Sequence, residues 1–394
     1  MTDASEFITP SDDVKSYESF DHMTGLPENL LRGIYSHGFT KPSDIQTKGI
    51  MPIVEGHDIM AQAQSGTGKT GTFVIGGLSR IDPSIPKPQV LIIVHVRELA
   101  QQIEKVAKSI STYMGISIRS TVGGNNLRED ISELKKGVQF IVGTPGRIYD
   151  LMTRNVLDRS EIRLLIMDEA DHLLKELFYE QVVSILKLGF PAKTRVALFS
   201  ATMPEPVRKV ASDLMGENSV RILIAPGSVT LRGIKQYYIP LEKEDHKFEC
   251  IVDLYKSLSI SQAVIFCNTR RSVEKLNEKM SGSGYPVSFA HGELEKSDRE
   301  RRMRDFLGGD TRLMISTDMI ARGIDVQQIS LVINYEIPEN EETYVHRIGR
   351  AGRFGRKGVT INLVLPEEIE KMNSIARKFE MTLEEMPMDL SNIL

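Results

Sequence analysis

Cysteine is scarce in this chain of 394 residues, where Cys250 and Cys267 are the only two. Two thiols cannot build a disulfide framework, and this pair lacks the ligand spacing of a zinc site. Long apolar runs are also missing, because the chain has no stretch of about 18 apolar residues, which a membrane-spanning helix would need. These absences predict a protein without membrane spans that works in a reducing, intracellular compartment.

The amino-terminal segment and the charge balance also lack strong signals. Residues 1–13 (MTDASEFITPSDD) are acidic and polar, without the basic and apolar regions of a secretion signal. We therefore expect no secreted fate, and we interpret residues 1–19 as a flexible lead. The net charge of −4 argues against a protein that coats nucleic acid through bulk electrostatics, but it allows a local basic groove.

The composition is that of a soluble globular protein, with 41% hydrophobic and 26% charged residues. At roughly 100–200 residues per domain, the length predicts two domains, with three as the alternative. Short apolar runs alternate with amphipathic segments, a pattern typical of βαβ units and a parallel sheet. The expected strands are 59–61, 90–94, 140–142, 164–167, 196–199, 263–267, 287–290, 313–316, 331–334 and 360–364. The expected helices are 27–35, 98–110, 176–188, 272–280, 296–306 and 341–349.

The alternation pauses at residues 225–235 (APGSVTLRGIK), which contain a proline and two glycines and lack strong periodicity. We interpret residues 226–235 as a linker between one domain at 20–225 and a second at 236–394. The fold prediction is therefore α/β, with two successive domains that each contain a mostly parallel sheet flanked by helices.

Residues 63–70 (AQSGTGKT) have the pattern of a phosphate-binding loop. They follow the apolar segment 59–61 and lead into the apolar stretch 72–78, the strand-to-helix setting that such a loop needs. Glycines in the loop let backbone N–H groups approach phosphate oxygens, and the helix amino terminus adds a favourable dipole.

Each residue type in this pattern has a chemical role. Gly66 and Gly68 allow the close approach, Lys69 reaches the β and γ phosphates, and the Thr70 hydroxyl binds Mg²⁺. The general pattern begins with glycine where this chain has Ala63. The alternative interpretation is a glycine-rich turn with a solvated lysine, which the common register of strand, glycines, lysine and threonine disfavours.

A second signal is RLLIMDEAD at residues 163–171. An apolar strand delivers Asp168 at its carboxyl end, where ligands bind in open α/β sheets. We expect Asp168 to hold Mg²⁺ through water, and Glu169 to orient or deprotonate the attacking water. The alternative is a helix amino terminus enriched in acids to match the dipole. The upstream phosphate loop favours the catalytic interpretation, and together the motifs predict ATP binding and hydrolysis.

These motifs are part of a longer ordered set: GFTKPSDIQ at 38–46, AQSGTGKT at 63–70, RELA at 97–100, glycines at 123–124, TPGR at 144–147, DEAD at 168–171, SAT at 200–202, ARGIDV at 321–326 and HRIGRAGR at 346–353. The set and its order resemble the DEAD-box RNA helicases over nearly the whole chain from Phe20 to Leu394. Segments 262–271 (QAVIFCNTRR) and 384–394 (EEMPMDLSNIL) are most similar to the translation initiation factor 4A group of that family. The resemblance implies two tandem RecA-like domains that close over ATP and single-stranded RNA.

For the nucleotide site, the resemblance implies that Phe39 stacks on adenine, that Gln46 reads the adenine edge and that Phe20 supports them. A planar amide offers both a donor and an acceptor, so ATP should be preferred over GTP. Ordinary core packing is the alternative for Phe39 and Phe20. The residues expected to bind the nucleotide are Phe39, Gln46, Ser65, Gly66, Thr67, Gly68, Lys69, Thr70 and, through a ribose hydroxyl, Asp325.

From the second domain, Arg350 and Arg353 resemble arginine fingers that reach the γ-phosphate. The expected catalytic set is Lys69, Glu169, Arg350 and Arg353. The residues expected to couple the domains are His346, Arg347, Ser200 and Thr202, with a capping turn as the alternative for the last two.

The residues that resemble RNA contacts are Arg97, Gly124, Thr144 and Arg147 in the first domain, and Arg299, Thr317 and Asp318 in the second. Such groups bind phosphates and sugars, so RNA binding should show little sequence preference. The chain departs from the family at His95-Val96, where the family has Pro-Thr, and at Lys296, where it usually has Gln. Valine removes a hydroxyl that would contact phosphate, and we hypothesise that Lys296 replaces that contact.

The leading interpretation is an RNA-dependent ATPase that unwinds short RNA duplexes, with ATP and Mg²⁺ as cofactors. An ATP-gated RNA clamp would use the same active-site residues, and a DNA helicase fits the motif set less well. Cap-dependent translation initiation is the expected role, with splicing-linked clamping and ribosomal RNA processing as alternatives. The expected partners are single-stranded or short duplex RNA and a scaffold protein of the initiation machinery. We expect a cytoplasmic protein, monomeric outside its complex, or a nuclear one under either alternative.

Overall fold

The computed structural model describes residues 14–63, 66–174, 176–216, 219–223, 234–258, 260–321, 329–351, 358–379, 381–387 and 393. The chain divides after residue 224 into two compact units. Among the described helices, none combines the length and the apolar character needed to cross a membrane.

In its described residues the first unit contains seven strands, and most of their apolar side chains are buried on both faces of the sheet. The strands are β1 (Ile59–Gln62), β2 (Val90–Ile93), β3 (Ile118–Thr121), β4 (Phe140–Gly143), β5 (Leu164–Asp168), β6 (Arg195–Ser200) and β7 (Val220–Leu223). All pair in parallel, in the spatial order β3-β4-β2-β5-β6-β1-β7. Because helices cover both faces of a parallel sheet, its central strands are continuous apolar runs, as β4 and β5 are.

Nine described helices and one 3₁₀ turn, Phe20–His22, connect these strands. The helices are α1 (Glu28–Ser36), α2 (Asp44–Glu55), α3 (Lys69–Ser79), α4 (Arg97–Ile110), α5 (Leu127–Lys135), α6 (Pro145–Thr153), α7 (Ala170–Leu173), α8 (Glu176–Lys187) and α9 (Glu205–Leu214). Pro145 is the first residue of α6, a position where the backbone N–H that proline lacks would have no partner within the helix. Gly56, whose φ is 84°, is the C-cap that ends α2. Two apolar clusters fill the two faces of the sheet.

The second unit repeats this plan. Its strands are β8 (Ile234–Pro240), β9 (Ala263–Phe266), β10 (Val287–Ala290), β11 (Leu313–Ser316), β12 (Leu331–Asn334), β13 (Gly358–Val364) and β14 (Glu384–Glu385). They also pair in parallel, in the order β10-β11-β9-β12-β13-β8-β14. The helices are α10 (His246–Ser257), α11 (Arg270–Gly282), α12 (Lys296–Gly308), α13 (Asp318–Ala321), α14 (Glu341–Ile348) and α15 (Ile369–Lys378), with a 3₁₀ turn at Pro366–Glu368.

The α/β prediction with two successive parallel sheets is confirmed. The expected strands 287–290, 313–316 and 331–334 coincide with β10, β11 and β12. Ile234 and Lys235, which the sequence analysis assigned to the linker, instead begin β8, because they pair with Gly358 and Val359 of β13. Residues 226–233 of that linker lie outside the described part of the chain.

Parallel pairing brings the carboxyl ends of β1, β2, β4, β5 and β6 to one edge of the first sheet. The segments that follow these ends contain the motifs singled out above. The same edge of the second sheet is where β9, β11 and β12 end. We therefore expect a functional site at the carboxyl edge of each sheet.

Candidate functional site

The turn between β1 and α3 has the backbone of an anion-binding loop. Gly66 and Gly68 have φ angles of 83° and 107°, in the left-handed region that glycine adopts without steric cost. A Cβ atom on Gly68 would collide with Ser43 Oγ and lie 3.1 Å from Gln46 Nε2. Glycine is therefore required at position 68 for both conformation and space. Ser65 lies outside the described residues.

Lys69 is the first residue of α3 and only 6% exposed. Its ammonium has no hydrogen-bond partner among the residues that the structure describes. A buried cation without a partner is costly, and the amino terminus of α3 adds positive potential beside it. This donor set fits an anion with several oxygen atoms, such as a chain of phosphates. Thr70 follows in the first turn of the same helix.

Asp168 ends β5 and is 3% exposed. Burial raises the pKa of its carboxyl to about 7, and the positive charge of Lys69 opposes this rise. The carboxylate also accepts the Glu169 backbone N–H at 2.9 Å. A buried acid near a buried lysine fits a divalent cation bound next to the phosphates, because the cation would displace the proton.

Glu169 follows with φ of 52° and ψ of 50°, so its backbone lies in the left-handed region. This region is unfavourable for a glutamate, and such strain persists where the surrounding fold requires it, often at functional sites. The turn ends β5 and starts α7 within one residue. The carboxylate is therefore presented at the sheet edge immediately after Asp168.

The acidic loop is tied to the end of β6. The backbone N–H of Asp171 donates to Ser200 Oγ at 3.3 Å, and Thr202 Oγ1 donates to Asp171 Oδ2 at 2.7 Å. Both predicted coupling residues of the first unit thus contact the acidic motif directly. A shift of the β6 loop would be transmitted to the loop that holds Asp168 and Glu169.

On the other side of the phosphate loop, Gln46 is 3% exposed. Its Oε1 accepts the Ser43 backbone N–H at 2.9 Å, and its Nε2 donates to Gly68 O at 3.3 Å. The amide therefore links α2 to the loop. Phe39 is half-buried beside α3, whereas Phe20 is fully buried and packs edge-to-face on Tyr35 with a centroid distance of 6.2 Å.

The four RNA-facing residues predicted in the first unit converge on one loop, residues 123–125. Gly124 has φ of 77°, and a Cβ atom there would collide with the Arg97 guanidinium. The Thr144 hydroxyl accepts the Gly123 N–H at 3.4 Å, and Arg147 Nη2 donates to Asn125 O at 2.8 Å. Backbone and guanidinium donors are thus grouped together, as phosphate binding requires.

Asp130 was missed in the sequence analysis, although it organises this loop. Its carboxylate is fully buried, bonds to Arg147 Nη1 and lies 3.5 Å from Arg119 Nη2. Burial raises the pKa of Asp130, and the two arginines oppose the rise. The available signal was its position on α5, where it follows Leu127 by three residues and precedes Leu134 by four, on the apolar face.

The departures at His95 and Val96 have ordinary packing. Val96 is the N-cap of α4 and packs against the core. His95 is 7% exposed, and its ring lies 5.3 Å from that of His172. Both side chains therefore fill space at the sheet edge.

Arg347, which was expected to help couple the two domains, makes a set of hydrogen bonds that the sequence did not indicate. Arg347 is fully buried at the edge of the second sheet, and its five N–H groups are used within that unit. They donate twice to the Asp318 carboxylate, to Asn268 Oδ1 at 2.7 Å, to Glu336 O at 2.7 Å and to Asn334 Oδ1 at 3.3 Å. Its guanidinium also lies 5.3 Å from the Phe266 ring centre. With every donor engaged, Arg347 ties together the loops that follow β9, β11 and β12.

The other predicted residues of the second unit are placed as follows. Thr317 and Asp318 follow β11, and Asp318 is held by Arg347. Arg299 lies on α12 with Nη1 3.9 Å from Met319 Sδ, and Lys296 begins that helix. Arg350 Nε donates to His346 O at 3.3 Å. Asp325 and Arg353 lie outside the described residues.

The Arg347 cluster makes a prediction for stability. Lysine at this position keeps the charge but has three donors on one atom, so it cannot replace a planar fork with five donors. Arg347→Lys should lower the free energy of unfolding by about 2 kcal/mol or more. Thermal and denaturant unfolding would measure the loss, with Arg377→Lys on the exposed face of α15 as the control. Equal stability of the two variants would contradict the assignment.

The buried Asp168 makes a prediction for pH dependence. Because the folded pKa lies above the ordinary value, the folded state binds the proton more tightly than the unfolded chain. The free energy of unfolding should therefore fall as pH rises from about 4 to about 7. Asp168→Asn removes this fall, so the variant should gain on the order of 1–2 kcal/mol relative to wild type between pH 5 and pH 8. Asp213→Asn on exposed α9 should leave the pH profile unchanged.

Comparison with known proteins agrees with this geometry. Residues 43–210 match the DEAD/DEAH box helicase domain, and residues 246–355 match the helicase conserved C-terminal domain. The ATP-dependent RNA helicase eIF4A of Aspergillus clavatus is 49% identical over 377 residues, which cover 96% of this chain and 94% of that protein. The protein of the same name from Neurospora crassa is 48% identical over 380 residues, covering 96% and 95%.

Solved structures show the same architecture. Dbp5 of S. cerevisiae bound to RNA and ADP BeF3 superposes with a TM-score of 0.86, at 33% identity over 95% of this chain and 96% of that one. A DEAD box protein from Methanococcus jannaschii has a TM-score of 0.57, also at 33% identity, over 94% of this chain and 100% of that one. With both helicase domains matched and relatives 48–49% identical over 96% of its length, the chain is a member of the DEAD/DEAH box helicase family, built from two tandem RecA-like domains.

Proposed function

We propose that this chain is an ATP-dependent RNA helicase that unwinds or remodels short RNA duplexes in cap-dependent translation initiation. The observation that carries the proposal is the buried Lys69 ammonium, which follows the glycine turn, has no hydrogen-bond partner among the described residues and interacts electrostatically with the buried acid Asp168. A helicase of this family needs such a site for the phosphates of ATP. The eIF4A relatives, which align with nearly the whole chain, support the cellular role.

The phosphate chemistry is assigned to the first unit. Lys69 and the N–H groups of the loop bind the β and γ phosphates, and Thr70 with Asp168 holds Mg²⁺. The cation neutralises charge on the phosphates when it is bound. Glu169, presented by its left-handed turn, orients the attacking water and accepts its proton.

The base is assigned to the surface beside α2. Phe39 offers a ring for stacking, and the Gln46 amide reads the adenine edge. Gln46 exchanges one of its present bonds, to Ser43 or to Gly68, when it does so. Its fixed position favours ATP over GTP, because guanine reverses the donor and acceptor pattern at that edge.

Hydrolysis also depends on the second unit in this proposal. Arg350 and Arg353 neutralise charge that develops on the γ-phosphate, and Asp325 accepts a bond from the ribose. Ser200, Thr202 and His346 couple nucleotide and RNA binding. RNA therefore stimulates hydrolysis because it favours the arrangement that completes the site.

RNA is bound through its backbone. The cluster of Arg97, Gly124, Thr144 and Arg147 contacts phosphates and sugars of a single strand, and Arg299, Thr317 and Asp318 extend the path. Contacts of this kind predict little sequence preference and a modest dependence on salt.

The cellular assignment is cytoplasmic, with a scaffold protein of the initiation machinery as partner and a monomer outside that complex. Affinity purification of the intact protein from its own cell extract tests this. Recovery of a cap-binding scaffold is the expected result. Recovery of pre-ribosomal or splicing proteins in its place would contradict the assignment while leaving the helicase activity intact.

The role of Glu169 can be tested directly. Glu169→Gln keeps the size and the backbone conformation but cannot accept a proton, so RNA-stimulated ATP hydrolysis should fall at least about 100-fold. Binding of Mg-ATP and RNA should persist, as measured by fluorescence anisotropy. Glu180→Gln, on the exposed face of α8, is the control. Hydrolysis at the wild-type rate in the Glu169→Gln variant would refute the role.

The buried Asp130 makes a prediction for RNA binding. Asp130→Asn leaves Arg147 and Arg119 without their shared charge partner, so they separate and Arg147 loses its fixed position. RNA affinity should fall roughly threefold to tenfold, whereas Mg-ATP affinity without RNA should not change. The neighbouring Glu129, which pairs with Arg119 at 61% side-chain exposure, gives the matched control Glu129→Gln. Unchanged RNA affinity in a folded Asp130→Asn protein would contradict the role of Asp130.

A further inference from the structure

His37 occupies an unusual place between α1 and the proposed base site. It is the C-cap of α1, and its backbone N–H donates to Gly33 O at 2.9 Å. Gly38 follows with φ of 102°, a left-handed turn that reverses the chain direction. This turn brings the His37 and Phe39 rings together, with centroids 4.7 Å apart and planes at 80°. The two rings therefore form a tight edge-to-face pair.

The His37 ring is itself held from another element. Its Nδ1 lies 2.8 Å from Ser109 Oγ, on α4. This hydrogen bond connects residues that are 72 positions apart in the chain. Burial lowers the pKa of His37, so the ring is neutral at physiological pH. Because its Nδ1 is held by Ser109, the neutral His37 ring has a fixed orientation against the Phe39 ring.

Phe39 is bounded on a second side by α3. An ideal Cβ on Gly71 would lie 3.1 Å from Phe39 Cε2, and the Phe39 backbone N–H donates to Ile34 O at 3.3 Å. The ring thus lies between the His37 ring and the first turn of the helix that follows the phosphate loop. Its orientation is set by these two neighbours before any nucleotide binds.

We propose that His37 is a positioning residue for the nucleotide base: it fixes the Phe39 ring in the orientation that stacks on adenine, and Ser109 fixes His37. The proposal rests on the proposed role of Phe39 in the base site. Removal of the His37 ring would free Phe39 to turn about its side-chain torsions. Binding of the base would then have to order Phe39, and this loss of preorganisation lowers affinity.

The position of His37 predicts a selective defect. The ring touches the aromatic that faces the base, whereas the phosphates bind at the glycine turn and Lys69. The affinity for a ligand with phosphates but no base should therefore not depend on His37. A contact that only stabilises the fold would affect ligands with and without a base alike.

The test compares Mg-ATP with Mg-tripolyphosphate, which has the phosphates and no base, by calorimetric titration of the full chain. For His37→Ala, the dissociation constant of ATP should rise roughly threefold to tenfold, and that of tripolyphosphate should not change. The KM for ATP in RNA-stimulated hydrolysis should rise by a similar factor at unchanged kcat. His37→Phe restores a ring against Phe39 and should bring ATP affinity back to within about twofold of wild type.

Three further variants complete the design. Phe39→Ala is the benchmark for loss of stacking, and His57→Ala, with a half-exposed histidine at the end of α2, is the control for a lost imidazole. Ser109→Ala tests the anchor without opening space beside Phe39, and it should weaken ATP in the same direction. This variant also keeps the proposal testable if His37→Ala does not fold.

The possible outcomes distinguish the positioning role of His37 from the proposed base site at Phe39. Equal weakening of ATP and tripolyphosphate by His37→Ala, or no rescue by His37→Phe, would overturn the positioning role. If Phe39→Ala itself leaves the ratio of the two affinities unchanged, the proposed base site fails and the positioning role fails with it. If Phe39→Ala changes the ratio and His37→Ala does not, only the positioning role is overturned.

Discussion

Parallel strand pairing is the constraint on which both units depend, because it places the carboxyl ends of all strands at one edge of each sheet. Polar groups that would be costly anywhere else inside the protein collect at this edge. In the first unit, Lys69 and Asp168 are both removed from water within reach of each other's charge. The fold thereby keeps a positive and an acidic group available for a ligand that carries both phosphate and metal.

A second theme is the use of buried charged groups to hold a partner of opposite charge. Asp130 fixes Arg147 in the first unit, and Arg347 fixes Asp318 in the second. In both cases one member of the pair was expected to face RNA, and the other is fully buried. The groups proposed to contact RNA are therefore positioned by buried groups, an arrangement that would reduce the ordering that RNA binding requires.

Much of this could be predicted from sequence, for identifiable reasons. Strands such as β4 and β5 were predicted correctly because burial on both faces makes them continuous apolar runs. The phosphate loop could be proposed from sequence because its glycines, lysine and threonine are close together in the chain. β3 was missed because IRST, at the edge of the sheet, contains one apolar residue followed by three polar ones and so has no strand pattern. The partners of Arg347 were not predicted, because only the fold shows that Asn268, Asp318, Asn334 and Glu336 surround it. The same limit applies to Asp130 and His37, whose partners lie far away in the chain.

The left-handed backbone at Glu169 has a consequence for how this chain changes over time. Glycine or asparagine would relax that turn, so substitutions that stabilise the protein at this position also remove the carboxylate that we propose orients the attacking water. Selection for stability therefore favours replacing Glu169, whereas selection for ATP hydrolysis favours keeping it. In a lineage where selection maintains RNA binding but no longer maintains ATP hydrolysis, we expect this glutamate to be replaced early.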